Sequence, residues 1–440
     1  MTQQTGSGGV LAVRGRRVLS GTVTVDGSTD AALLLLATAA VMDRPVTLAN
    51  LPASRDVEAM CKLVKATGST VVAADDEVNA WHVAPSSARM RRLNRELAAR
   101  IRGSYFLPPA LLRRGVAELP WPGGVDVGDC GMELHVEVYE AFGDTMTTSG
   151  EGYRITAAAG QPCTPVEITL PFPSRGATGV ALLRALAARR PLLLRTPSKS
   201  LEVAGLVQAL NSSGHCANFQ PDGTLAFTPG VTRPARWRVP GDRILAGTLL
   251  CALAMTGGHG RILGVDADHL APLIELLAKA GIPVTELSNG VGLSADVIRL
   301  TGTPISALAT RNRLASAGDL GTDFTPALIA LALTLPGIHC FADEIHPGWH
   351  ANLLPQLRRL GAVVTEDSVT ACQVSRSPAL TGSHVEAVDS QTGWTLLIAG
   401  LLAEGTTVVS GLSQSQHGDV GLPGMLRSLG ADITEELTVK

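Results

Sequence analysis

Aromatic residues are scarce in this chain of 440 residues, in which Phe, Trp and Tyr together make up 3%. Proteins that bind single-stranded nucleic acid depend on such rings to stack bases, so the scarcity argues against that class. The formal net charge of -3, without any long basic run, argues against it as well. We therefore expect no nucleic-acid partner, and a core built mainly from Ala, Leu and Val.

Cysteine motifs and long apolar runs are also missing. The seven cysteines are an odd number without a CxxC pair, which argues against a disulfide framework and against a zinc ribbon. No apolar stretch approaches the ~20 residues of a membrane helix. The first residues, MTQQTGSGG, lack the charged and apolar regions of a signal peptide. We predict a cytoplasmic protein without a membrane partner, and the sequence carries no signal for an oligomeric state.

A repeated pattern organises the residues that are present. The stretch 357–366, LRRLGAVVTE, reads as a helix that ends in a left-handed glycine, Gly361, and runs into a strand. Upstream lies an Ala/Leu-rich helix that is apolar nearly all round and should therefore be buried. The pattern recurs about every 70 residues, a longer period than that of short solenoid repeats. Its other copies place the capping glycine at Gly68, Gly143, Gly214, Gly281 and Gly430.

The order of elements within one copy predicts a small α/β unit. Each unit reads strand, buried helix, strand, amphipathic helix, strand, strand, and the chain holds six such units. Near 233–241, in TRPARWRVPG, the sequence indicates a linker followed by a new strand, and we place a domain boundary there. The architecture is thus expected to be repetitive, with two domains.

Several stretches carry a family resemblance. DGSTDAALLLLATAAV is similar to a start of the type SGAKNAALPI, and RGSYFLPPALLRRG is similar to R-A-S…GPL…R-G. PGGVDVG…LH matches PGGC.IG.RP.DLH, and SRGATG matches a phosphate-contacting SVGATEN. Over nearly its whole length the chain resembles the enolpyruvyl transferase family, in the UDP-N-acetylglucosamine enolpyruvyl transferase (MurA-like) branch. EPSP synthase, the other main branch, shares the six-unit plan but fits the PGG…LH stretch poorly.

The resemblance implies an α/β fold, a two-domain inside-out α/β barrel with three units per domain and an active site in the cleft between the domains. We expect residues 26–235 to form the first domain and 236–440 the second, with the strands of 1–25 joining the second. The Gly-rich loop 122–128 would act as a mobile lid. Val125 stands there in place of the family's loop cysteine, so fosfomycin should leave no adduct on the loop.

Four positions retain the residues that the family uses. Asp323 matches the aspartate that takes the proton from the sugar hydroxyl. The other three, predicted to bind substrate, are Arg102, His135 and Ser174.

Other positions depart from the family where it does its chemistry. Thr29 and Asp30 stand in place of a lysine and an asparagine. Four arginines that bind phosphoenolpyruvate or the nucleotide are matched by Cys130, His350, Gln391 and His417. Phosphoenolpyruvate carries about three negative charges, and each charge-assisted contact to it is worth roughly 1.5–3 kcal/mol. We therefore do not expect ordinary enolpyruvyl transfer from this substrate.

The predicted function is acid–base chemistry on a nucleotide, a sugar or another hydroxylated small molecule, in a specialised biosynthetic pathway. Asp323 would be the base, and His350 and His417 would supply the acid, because histidine titrates near pH ~6.5. Asp30, which can also cap the first buried helix, completes the predicted catalytic set. The predicted substrate-binding residues are Thr29, Arg102, Cys130, His135, Ser174 and Gln391.

No cofactor and no metal are predicted. His346 and His350 are four residues apart, a spacing that can chelate a metal on a helix, but Pro347 and Gly348 between them disfavour a helix. Two alternatives to the predicted enzyme stay open. One is a non-catalytic ligand-binding or regulatory pseudoenzyme, and the other is true enolpyruvyl transfer to a nucleoside-type acceptor with charged histidines.

Overall fold

The computed structural model describes residues 9–75, 77–85, 93–123, 132–160, 164–309, 320, 322–344, 348, 350–412 and 421–436, and for 307–309, 390, 391 and 436 the backbone alone. The helices in this part of the chain are α1 (Thr29–Val41), α2 (Arg55–Ala66), α3 (Arg95–Arg100), α4 (Pro108–Leu112), α5 (Glu133–Ala141), α6 (Arg175–Ala188), α7 (Leu201–Ser212), α8 (Arg243–Met255), α9 (Ala271–Lys279), α10 (Thr325–Ala332), α11 (His350–Arg359), α12 (Ser390–Gly400) and α13 (Leu422–Ser428). Short 3-10 helices span Arg102–Phe106, Ala267–Leu270 and Ala295–Val297.

The strands of the same part are β1 (Gly9–Arg14), β2 (Ser20–Thr24), β3 (Val46–Ala49), β4 (Ser69–Ala73), β5 (Trp81–Pro85), β6 (Val116–Leu119), β7 (Thr145–Ser149), β8 (Gly152–Thr156), β9 (Val166–Thr169), β10 (Leu192–Arg195), β11 (Cys216–Phe219), β12 (Leu225–Thr228), β13 (Ala235–Arg238), β14 (His259–Leu263), β15 (Thr285–Leu287), β16 (Gly290–Ser294), β17 (Ala307–Ala309), β18 (Ile338–Asp343), β19 (Val363–Ser368), β20 (Ala371–Ser375), β21 (His384–Glu386), β22 (Thr406–Leu412) and β23 (Asp432–Glu436).

The third unit shows the repeated pattern in full. Its elements follow one another as β9, α6, β10, α7, β11 and β12, and its sheet has the order β11-β12-β10-β9. Strands β9 and β10 are parallel because α6 crosses between them, whereas β12 pairs antiparallel with both β10 and β11. Helix α6 is buried from Ala177 to Leu186, as its Ala/Leu composition predicts. The predicted order of elements is confirmed for this unit.

The amphipathic helices α2, α5, α7, α9, α11 and α13 all end at the glycine that the sequence pattern predicts. These six glycines have φ angles from 82° to 98°, in the left-handed region. After α11, the Gly361 N–H donates to the Arg358 carbonyl at 2.9 Å, and the Ala362 N–H donates to the Leu357 carbonyl at 3.1 Å. These two bonds satisfy carbonyl groups at the end of the helix, so the predicted C-caps are confirmed.

Two of these glycines allow a matched test of what the cap contributes to stability. Gly281→Ala and Gly430→Ala both place a side chain at positive φ, which costs roughly 1–2 kcal/mol. A Cβ at Gly281 would also collide with the Arg299 carbonyl oxygen, whereas no atom of the described residues lies within 4 Å of one at Gly430. We expect Gly281→Ala to lower the free energy of unfolding by about 1–3 kcal/mol more than Gly430→Ala. Urea denaturation followed by circular dichroism measures both, and equal losses would contradict the expectation.

Strands β2 and β13 each lie in a sheet far from their own unit in the sequence. Strand β2 precedes α1, yet it pairs in parallel with β14, where Val23 lies opposite Ile262. Strand β13 precedes α8, yet it pairs in parallel with β3, where Trp237 lies opposite Leu48. The first and fourth units therefore exchange their opening strands. The first strand of the chain, β1, pairs with β22 and β23 of the last unit.

Buried apolar side chains of the described residues form two separate clusters. The first cluster lies within residues 31–239, and the second joins residues 11–25 to residues 245–433. We propose that the two clusters are the cores of the two domains. The chain would then cross between the domains near Gly27 and Gly241, which form an antiparallel bridge. Within the described ranges, every helix falls short of the length and apolarity that crossing a membrane requires.

Candidate functional site

Five ionisable side chains meet where several helices begin. Asp30 lies in the first turn of α1, Arg175 begins α6, and Glu202 lies in the first turn of α7. Arg243 begins α8, and Asp323 lies just before α10. We call these five residues the ion chain. Its first three members belong to helices of the first core, and its last two belong to the second core.

N-terminal capping residues fix the first turns of α1, α6 and α8, which carry Asp30, Arg175 and Arg243. Ser28 precedes α1 and Ser174 precedes α6, and each hydroxyl oxygen accepts the backbone N–H three residues later, at 3.4 Å and 3.3 Å. Before α8, Asp242 accepts two backbone N–H groups at 3.0 Å. The prediction that Asp30 caps α1 is wrong, because Ser28 occupies the capping position. Asp30 instead points its carboxylate at a neighbouring helix.

Ion pairs join the five side chains in sequence. Arg175 lies 3.2 Å from an Asp30 carboxylate oxygen and 3.6 Å from Glu202 Oε1. Arg243 Nη2 lies 3.7 Å from the same Oε1 and donates a hydrogen bond to Asp323 Oδ2 at 2.7 Å. Three carboxylates against two guanidinium groups leave one negative charge when all five are ionised.

The pKa values of Asp30 and Glu202, the two carboxyls on helices of the first core, shift in opposite directions. Arg175 lowers the pKa of Asp30, but burial and the charges of Glu202 and Asp323 together outweigh it, so the net shift is upward. The Asp30 side chain is 46% exposed, and solvent moderates this shift. Burial raises the pKa of Glu202, but Arg175 and Arg243 outweigh burial and hold it below its ordinary value. Asp30 thus keeps a proton more readily than Glu202 does.

A second group of side chains lies at the N-terminus of α6. The rings of Tyr105 and His135 are 4.7 Å apart. A Cβ on Gly176 would lie 2.7 Å from His135 Nε2 and 3.0 Å from the Tyr105 hydroxyl oxygen, so only glycine leaves this space open. Burial, helped by the charge of Arg102, lowers the pKa of His135 to about 4, and burial raises the pKa of Tyr105 to about 12.

Both rings are therefore neutral at physiological pH. Within the described residues, neither ring nitrogen of His135 has a hydrogen-bond partner. Neutral groups of this kind, beside the start of a helix, can orient a polar ligand group without adding a charge. Arg102 begins the 3-10 helix that carries Tyr105, and its charge acts on both rings. His135, Arg102 and Ser174 remain predicted binding residues.

His350 has contacts of a different kind. It begins α11 and is fully buried. Its Nε2 lies 3.1 Å from the Ser368 carbonyl oxygen and 3.9 Å from a Glu366 carboxylate oxygen. These contacts tie α11 to the end of β19, as expected of a histidine that holds structure together. Its role as the acid stays a prediction.

The remaining predicted site residues are only partly described. The Thr29 hydroxyl lies 3.5 Å from that of Ser54, near the start of α2. Gln391 lies in α12, with its backbone alone described. Outside the described residues lie His417, Cys130, His346 and nearly all of the predicted lid, 124–128.

Sequence reasoning missed Arg175, Glu202 and Arg243. Arg175 stands inside SRGATG, where the matched family motif SVGATEN has valine, and that difference was a usable signal. Arg243 follows the capping Asp242, but nothing in the sequence links it to Asp323, 80 residues away. Glu202 lies in an ordinary amphipathic helix and gives no signal at all.

Comparison with known proteins decides the family. A family model described as EPSP synthase (3-phosphoshikimate 1-carboxyvinyltransferase) matches residues 13–429. The chain belongs to this family of enolpyruvyl transferases. It is 31% identical over 437 residues to a UDP-N-acetylglucosamine 1-carboxyvinyltransferase of Sphingopyxis alaskensis, covering 96% of this chain and 98% of the relative. It is 30% identical over 427 residues to a UDP-N-acetylglucosamine 1-carboxyvinyltransferase 3 of Caldanaerobacter subterraneus, with the same coverage.

Solved structures share the fold of this enolpyruvyl transferase family member. The enolpyruvyl transferase NikO from Streptomyces tendae superposes with a TM-score of 0.81 at 24% identity, covering 98% of this chain and 99% of that chain. The EPSP synthase from Acinetobacter baumannii superposes with a TM-score of 0.74 at 14% identity, covering 98% and 100%. The predicted family, with its MurA-like branch, and the predicted two-domain α/β fold are both confirmed.

Proposed function

We propose that this family member is an enzyme that acts on a nucleotide, a sugar or another hydroxylated small molecule by acid–base chemistry that does not use phosphoenolpyruvate. We place it in the cytoplasm, in a specialised biosynthetic pathway. The observation that carries the proposal is the charge of the ion chain, in which carboxylates outnumber guanidinium groups. Both guanidinium groups, those of Arg175 and Arg243, already contact two carboxylates each.

A cleft of this charge suits a ligand rich in hydroxyl groups better than a trianion. Phosphoenolpyruvate carries about three negative charges and needs several cations that are not already neutralised. Arg102 and Arg100 add two positive charges nearby. Asp56 and Asp242, which both interact with Asp30, add two negative charges, so the carboxylates of the group still outnumber its guanidinium groups. A hydroxyl group, in contrast, donates a hydrogen bond to a carboxylate, so these residues favour binding it.

The ion chain ends in two carboxyl groups, those of Asp30 and Asp323, and both take part in the proposed chemistry. Asp323 is the base, because the hydrogen bond from Arg243 at 2.7 Å holds its carboxylate in a fixed orientation. Asp30 stays in the predicted catalytic set as a carboxylate, because its side chain is partly open to solvent and can accept a hydrogen bond from a ligand hydroxyl. His350 and His417 stay as predicted acids, which single substitutions can test separately.

Ligand binding is the first test, because the relatives are named for a nucleotide sugar. The unliganded protein should be screened by thermal shift against uridine nucleotides, nucleotide sugars, shikimate-like acids and phosphoenolpyruvate. A hydroxylated ligand at a hundred times its dissociation constant should stabilise the protein by about 2.7 kcal/mol, whereas phosphoenolpyruvate alone should not. Stabilisation by phosphoenolpyruvate, together with phosphate release in the presence of an acceptor, would overturn the proposal.

That outcome would support a second candidate, enolpyruvyl transfer to a nucleoside-type acceptor. The observation in its favour is the name 1-carboxyvinyltransferase of relatives that are 30–31% identical over nearly the whole chain. A ligand that binds but is never converted, alone or with any co-substrate of the screen, would instead indicate a ligand-binding or regulatory pseudoenzyme.

A further inference from the structure

Glu202 occupies the middle of the ion chain. It lies in the first turn of α7, whose Leu206 and Leu210 pack in the first core. Its side chain is 5% exposed, so nearly all of its charge must be balanced by protein groups. Among the described residues, Oε2 has no hydrogen-bond partner, and the two nearby guanidinium groups face Oε1. The carboxylate therefore depends strongly on Arg175 and Arg243.

Arg243 reaches this carboxylate from the second core. Its guanidinium carbon lies 5.3 Å from the centre of the Phe324 ring, and its Nη2 contacts both Asp323 and Glu202. Phe324 adjoins Asp323 in the chain, so Arg243 contacts both the proposed base and the residue that follows it. It also contacts a residue of the first domain. Arg243 is thus the point at which the ion chain passes from one core to the other.

Arg175 anchors the same carboxylate within the first domain. Its guanidinium group spans from Glu202 to Asp30, and thereby connects α7 with α1. Arg175 and Asp30 both differ from the family motifs, which have valine and asparagine at these positions. The two differences compensate each other in charge, and they extend the ion chain to the partly exposed end of the site.

We infer that Glu202 is a positioning residue, which acts through Arg243 to hold Asp323 in place relative to the ligand-binding residues of the first domain. The importance of Asp323 in this inference rests on the proposed function. The link between the domains does not, because it depends only on the contacts of Glu202 with Arg175 and Arg243. Removing the charge of Glu202 should therefore loosen residues of the second domain, although Glu202 itself belongs to the first.

Hydrogen exchange of the unliganded protein tests the inference without a substrate. In Glu202→Gln, backbone amides in peptides that cover 243–250 and 322–330 should exchange about tenfold faster than in the wild type. Glu202→Asp, which keeps the charge, should exchange closer to the wild type. The matched control is Glu167→Gln on β9, also in the first domain, where the side chain is 66% exposed and should have no effect on these peptides.

A substitution in the second domain, Arg243→Lys, provides an independent test in case Glu202→Gln simply misfolds. Arg243→Lys should speed exchange in peptides that cover 201–206, across the domain boundary. Faster exchange confined to α7 in Glu202→Gln, or equal behaviour of Glu202→Gln and Glu202→Asp, would overturn the inference. These outcomes leave the proposed function standing, whereas a variant of Asp323 with normal turnover would overturn the proposed function and leave the domain link intact.

Discussion

Asp323→Asn should lower turnover of the true substrate by about 10²- to 10⁴-fold, the usual worth of a general base. The amide keeps the shape of the side chain but cannot take a proton from a substrate hydroxyl. Binding should persist, because Arg102, His135 and Ser174 are unchanged. Turnover, the dissociation constant and the circular dichroism spectrum of the purified variant give the three readouts.

The control for this substitution is Asp268→Asn. Asp268 is exposed and belongs to the same proposed domain as Asp323, and its substitution by Asn removes the same charge. It should leave turnover within about twofold of the wild type. Unchanged turnover in Asp323→Asn would overturn the proposed function, in which Asp323 is the base. His350→Ala, made alongside, shows whether that buried histidine acts in the reaction or only ties α11 to β19.

Asp144→Asn should lower the free energy of unfolding by about 3–5 kcal/mol, because it leaves a buried charge without its counter-ion. Asp144 and Arg184 have side chains 0% and 3% exposed and are joined by two hydrogen bonds, at 2.6 Å and 2.7 Å. The Arg184 guanidinium also lies over the Phe142 ring at 5.2 Å. Equilibrium denaturation of the variant and the wild type measures the loss.

An exposed pair on the neighbouring sheet provides the comparison for this prediction. Glu118 and Arg154 form an ion pair between β6 and β8, with side chains 58% and 54% exposed. Glu118→Gln should change stability by less than about 1 kcal/mol. If Asp144→Asn lowers the free energy of unfolding by no more than Glu118→Gln does, the buried ion pair contributes no more to stability than a surface ion pair, and the prediction is wrong. Replacing Asp144 and Arg184 together by apolar residues should recover part of the loss.

The sequence predicted two of the five residues of the ion chain and missed the other three. Asp30 and Asp323 could be predicted because a residue-by-residue match to family motifs marks positions that face a ligand. The role of Glu202 could not be predicted, because an acidic residue in the first turn of a helix is common. The helix dipole alone favours it there. Its importance comes from Arg175 and Arg243, which approach from two other helices.

The six units, their buried helices and their left-handed glycines were determined by the sequence itself. Each of these features depends on interactions among residues close together in the chain, such as the hydrogen bonds around Gly361. The exchange of β2 and β13 between units and the convergence of Glu202 with Arg243 were decided only by the tertiary structure. Strand pairing and ion pairing between distant segments depend on which surfaces the folded cores bring together. A local sequence pattern does not predict these long-range contacts.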